Sequence, residues 1–118
     1  MNQIVIGAAL PYLISLCVYI ARRGRASMAL LITAPLSMTA CAIWAVIPDL
    51  PRALGMNDLY HRLAADPRIN IFFMHYTIDK IETDSILYTP AFVLMAVSLF
   101  IVAWREVWLR EQEQERRP

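Results

Sequence analysis

The fold class predicted by this sequence is an all-α integral membrane protein with three transmembrane helices, and three observations predict it. Hydrophobic residues make up 58% of the 118 and the mean hydropathy is +0.47, too apolar for an ordinary soluble domain. Three runs contain no Asp, Glu, Lys, Arg or His: residues 4–21, 26–47 and 86–104, of 18, 22 and 19 residues. A spanning helix needs about 20 apolar residues and tolerates about 17, so each run is long enough. Between the second and third runs, residues 48–85 gather six of the ten carboxylates and both histidines. The predicted organisation is a single membrane domain: spans at 4–21, 26–47 and 86–104, a helical extracytoplasmic segment at 48–85 and a cytoplasmic helical tail at 105–118. Three buried helices of a soluble bundle are the competing arrangement, but those would carry polar residues on an outer face.

The first run reads as an uncleaved span. A cleaved signal peptide has a basic region before its apolar core, whereas Met1-Asn2-Gln3 carries no charged side chain and Arg22, Arg23 and Arg25 come after the run. Those arginines, with Arg105, Arg110, Arg116 and Arg117, make seven of the eleven basic residues. The positive-inside rule puts them in the cytoplasm. The expected location is the inner (plasma) membrane, multi-pass, with the N-terminus outside and the C-terminus cytoplasmic. A net charge of +1 gives no reason to expect nucleic acid as a partner; membrane lipid is the expected one.

Within the first two spans, Pro11 and Pro35 are expected to kink the helices. Cys17 and Cys41 fall at different membrane depths and read as packing residues, not as a disulfide. Trp44, Tyr88, Trp104 and Trp108 read as interfacial anchors. No Asp, Glu, Lys, Arg or His lies inside a span, which argues against a proton or ion path through one copy.

In the polar segment, Pro48-Asp49-Leu50-Pro51 is expected to end the second span and hold Asp49 on a turn at the outer membrane surface. Asn57 or Asp58 is expected to cap a short helix over residues 59–65 that carries His61. Asp66-Pro67 is a second start signal, for a helix running to about residue 83. Thr89-Pro90 repeats it at the start of the third span's main body. On the helix from Pro67, His75, Asp79 and Glu82 follow at i, i+4 and i+7, on one polar stripe flanked by apolar residues.

Imidazole and carboxylate are the ligands of zinc, manganese or iron. Asp49, His61, His75 and Asp79 are therefore the candidate ligands of a divalent metal, with Glu82 as the proton acceptor. A metal with an open position would activate water for hydrolysis. A salt-bridged helix, with Arg62, Arg68 and Lys80 satisfying the carboxylates, is the structural alternative for the same stripe.

The Pro48-Asp49 pair after a membrane span, followed by His61-Arg62 and then His75-Tyr76-Thr77, resembles the bacterial family of small membrane-bound metal-dependent hydrolases. In that family a Pro-Asp-x-Asp motif follows a transmembrane helix, with His-Arg and Thr-His-Ser type motifs later on the same side. The resemblance implies metal-ligand roles for Asp49, His61 and His75 and a hydrolase activity; Pro51 stands where the family has its second aspartate. A non-catalytic accessory subunit of a larger membrane complex is the alternative function. Ala8, Ala9, Ala34, Ser37, Ala40 and Ala42 offer small surfaces for helix packing, and the tail, with Glu106–Arg110 and Glu113–Arg117 spaced i, i+4, offers a docking helix for other membrane subunits.

Overall fold

The computed structural model describes residues 2–69, 77 and 85–116. Five α-helices form among them: α1 (Asn2–Ala21), α2 (Met28–Val46), α3 (Leu50–Ala53), α4 (Asn57–Ala65) and α5 (Tyr88–Glu115), with 3-10 turns at Ile47–Asp49 and Pro67–Ile69. No strand occurs among the described residues. Three stretches are long and apolar enough to cross a membrane: Gln3–Ala21, Met28–Ala53 and Tyr88–Glu115.

Helix α1 and helix α2 form the tight pair. Gly7, Ala8, Ala34 and Ala45 are all buried where they meet, and small residues let two backbones approach closely. Each helix runs unbroken past its proline. In both, a hydroxyl four residues later donates back to the proline carbonyl: Ser15 Oγ to Pro11 O at 2.8 Å and Thr39 Oγ1 to Pro35 O at 2.9 Å.

The α1–α2 connection is a Schellman turn. Gly24 N–H donates to Tyr19 O at 3.0 Å and Arg23 N–H to Ile20 O at 2.9 Å. The left-handed position that glycine usually takes is held by Arg23, with φ of 55°. Ser27 then caps α2, its hydroxyl accepting from Leu30 N–H at 3.2 Å.

After α2 the chain departs from expectation. Pro48 and Pro51 do not end the helical path, because each sits in the first turn of the next short element, where a missing N–H has no intrahelical partner to lose. The path ends instead at Gly55 (φ +76°), where Met56 N–H donates to Pro51 O and Gly55 N–H to Arg52 O. Helix α4 then covers Asn57–Ala65, but neither Asn57 nor Asp58 caps it: Met56 holds the cap position without a side-chain bond. Asp66 does act as the start signal it resembles, its Oδ1 accepting from Arg68 N–H at 2.9 Å ahead of the Pro67–Ile69 turn. The remainder of the expected helix to residue 83, apart from helical Thr77, lies outside the described residues.

Helix α5 begins at Tyr88, one residue before Thr89, and Leu87, not Thr89, takes its cap position. Third span and tail are one unbroken helix of 28 residues. Its inner face joins the α1–α2 pair through a small core of Val5, Ala8, Met38 and Met95, with Tyr12, Ala42 and Leu99 packed around it. A side-chain hydrogen bond also joins α1 to α5 midway along their apolar stretches. Ser98 Oγ donates to Met95 O at 2.8 Å, so the Tyr12 hydroxyl is the donor in its 2.8 Å bond to Ser98. Interhelical bonds of this kind average about 0.6 kcal/mol and reach about 1.7. Tyr12→Phe and Ser98→Ala should each lower unfolding stability in lipid–detergent mixtures by about that much. The double variant should lose little more, because both remove one bond.

Candidate functional site

The polar segment places two of the expected site residues among those described. Asp49 closes the 3-10 turn that follows α2, and His61 lies on the second turn of α4. These two elements adjoin, with Cα atoms of the turn and of α4 within 8 Å of one another. Helix α4 folds back here because Gly55 supplies the left-handed residue that reverses the chain.

His61 is exposed and stands edge-on to Tyr60, ring centroids 5.7 Å apart and planes 72° apart. The Arg52 guanidinium carbon sits 5.8 Å from the Tyr60 ring centroid, a cation–π distance that ties α3 to α4. An aspartate oxygen and an imidazole nitrogen from adjoining elements are the right donor chemistry for a divalent metal. No group of three or more His, Cys, Asp or Glu able to hold a metal forms among the described residues. His75, Asp79 and Glu82 lie outside those residues. Cys17 and Cys41 are both free thiols.

The densest polar cluster among the described residues lies at the opposite end, where sequence spacing pointed to a docking helix. Glu106 is 2% exposed. One of its oxygens accepts from Ala26 N–H at 3.1 Å; the other faces Arg25 Nε at 3.3 Å and Arg110 Nε at 3.6 Å. Arg25 extends to Glu113 through Nη1 at 3.0 Å. Arg110 Nη2 donates to Ala26 O at 3.0 Å, and Arg105 Nη1 donates to the Tyr19 hydroxyl at 2.8 Å and to Gly24 O at 2.6 Å.

Together these bonds fasten residues 24–26, the loop before α2, onto α5. The Glu106–Arg110 pair forms as spaced, and Glu113 reaches across to Arg25; Arg117, its expected partner, lies outside the described residues. The Glu113 hydrogen bond, followed by attraction from Glu106 and Glu113, holds the Arg25 guanidinium above its ordinary pKa. A raised pKa adds stability that is complete below the unfolded value and fades only as pH climbs through the folded one. Both lie far above physiological pH, so Arg25 contributes constantly there.

No family model matches this chain, and neither a curated protein nor a solved structure matches it.

Proposed function

We propose that this chain is a membrane-bound metal-dependent hydrolase, working at the outer face of the inner membrane with its N-terminus outside and its tail in the cytoplasm. One observation carries the reading: Asp49 and His61, two residues with ligand chemistry, sit on adjoining elements at the end of α2 away from the arginine-rich loop. On this reading they bind zinc, manganese or iron together with His75 and Asp79. When bound, such a metal supplies a Lewis acid and lowers the pKa of water. The protein's part is to fix the donors: the proline-bounded turn orients Asp49, α4 presents His61, and Glu82 accepts the proton from water. Because the site adjoins the membrane surface, the substrate class is an ester, phosphoester or amide presented there.

Metal analysis of the purified chain should find near-stoichiometric divalent metal, lost in His75→Ala with the three spans still folded. A metal-free wild-type protein would sink the hydrolase reading. Orientation is tested separately. An impermeant thiol reagent applied from outside, in a background with Cys17 and Cys41 replaced, should label Asn57→Cys and miss Gln114→Cys; the reverse pattern inverts the topology.

A non-catalytic subunit of a larger membrane complex is the second reading, and one feature favours it. A groove of about 520 Å³ opens between α2 and α5, lined by Met38, Ala42, Ile43, Phe92, Ala96 and Leu99. Its alanines suit close approach by a partner's transmembrane helix. Stoichiometric co-purification of another subunit, with no bound metal, is the outcome this reading expects.

A further inference from the structure

A second groove, of about 260 Å³, runs between the three long helices on the side of the arginine-rich loop. Leu16, Leu30, Leu31, Pro35, Leu99 and Val102 make its walls apolar. Its loop end is formed by Tyr19 and Ala26, and both are bonded to arginines of α5: Tyr19 to Arg105, Ala26 to Arg110.

The charges at this end are unequally matched. Arg25 and Arg110 face the carboxylates of Glu106 and Glu113. Arg22, Arg23 and Arg105 have no carboxylate within ion-pair distance among the described residues. Arg105 is held by neutral partners only, the Tyr19 hydroxyl and the Gly24 carbonyl, which leaves its positive charge uncompensated beside the groove. Arg22 and Arg23 are exposed in the adjoining turn.

An apolar channel at membrane depth that ends at unmatched guanidinium groups is complementary to an anionic amphiphile. We propose that this groove binds an anionic phospholipid, one acyl chain lying along Leu30, Leu31 and Leu99 and the phosphate meeting Arg22, Arg23 and Arg105. Guanidinium forks match phosphate geometry, and basic residues next to a span each strengthen attachment to anionic lipid. This site is separate from the proposed metal site and does not depend on it.

The test is lipid retention by the full chain, purified from detergent micelles carrying equal amounts of phosphatidylglycerol and phosphatidylcholine and quantified by mass spectrometry. Phosphatidylglycerol should be enriched several-fold in the bound fraction. Arg22→Gln/Arg23→Gln, whose side chains make none of the clamp contacts, should remove most of that enrichment with thermal stability unchanged. Leu30→Trp, which fills the groove, should reduce retention of phosphatidylglycerol while the arginines remain in place. A large excess of inorganic phosphate should not displace the lipid, because phosphate has no chain to occupy the groove. Equal retention of the two lipids by the wild type overturns the proposal. So does enrichment that survives Arg22→Gln/Arg23→Gln/Arg105→Gln, or displacement by phosphate alone.

Discussion

Glu106→Ala should loosen the whole arginine-rich end of the molecule and lower unfolding stability more than any other charge substitution among the described residues. The side chain is 2% exposed and holds three partners at once: Ala26 N–H, Arg25 and Arg110. Ala26 is itself buried, so its N–H would lose its acceptor in a place that water reaches poorly. An unsatisfied buried donor costs about 1–3 kcal/mol. Arg25 and Arg110 retain access to solvent, with side chains 47% and 38% exposed, so their stranded charges add less than they would in a sealed core. Glu106→Gln separates the contributions. An amide oxygen still accepts from Ala26 N–H but attracts the arginines weakly, so this variant should keep most of the stability that alanine loses. Unfolding in mixed micelles reads the difference, and equal loss in both variants would show that charge, not the bond to Ala26, holds the clamp. A Glu106→Ala protein as stable as the wild type would mean that α5 does not need the loop.

This clamp also shows what sequence can reveal here and what it cannot. The three long apolar helices were legible because length and lack of charge are one-dimensional properties, and crossing a bilayer asks for little else. Helix α4 was legible at Ala65, where Asp66-Pro67 stops it, but not at its cap: Asn57 and Asp58 enter the first turn because the Gly55 reversal, not a side-chain oxygen, sets where α4 starts. The pairing of Arg25 with Glu106, 81 residues apart, had no local signature. Spacing showed only Glu106–Arg110, and a pair four apart on a helix reads equally well as solvated. One clue was available. Glu106 is the second residue after an uncharged run of 19, and a carboxylate so close to a long apolar run needs a cation, which the first loop supplies in Arg25. Of the candidate metal site, the turn that holds Asp49 and the short helix that carries His61 were legible, while His75, Asp79 and Glu82 lie outside the described residues.

Gly7→Ala should destabilise the α1–α2 pair even though every rule of helix propensity says otherwise. In a helix interior alanine is better than glycine by about 0.8–1.0 kcal/mol, and Gly7 lies well inside α1. Space decides against it. A Cβ at this position would lie 2.6 Å from the Cys41 carbonyl oxygen and 2.9 Å from Ala45 Cβ. The first of these is backbone and the second is the root of a side chain, so neither can swing aside and the helices themselves must part. Overpacking of this kind costs about 1–3 kcal/mol, enough to reverse the propensity gain. Parting α1 and α2 would also strip contacts from Ala8 and Ala45, which are 1% and 0% exposed. Gly7→Leu should be worse again and should abolish compact folding in micelles. Gly55→Ala is the control, because nothing lies within 4 Å of its Cβ position and only the left-handed backbone (φ +76°) resists a side chain. That strain is about 1–2 kcal/mol and falls on the turn before α4, not on the spans. Gly55→Ala should therefore leave the thermal transition of the helical bundle near its wild-type value, while Gly7→Ala lowers it. A Gly7→Ala protein more stable than the wild type would show that propensity outweighs contact here, and that α1 and α2 stand farther apart in the bilayer than their buried glycine implies.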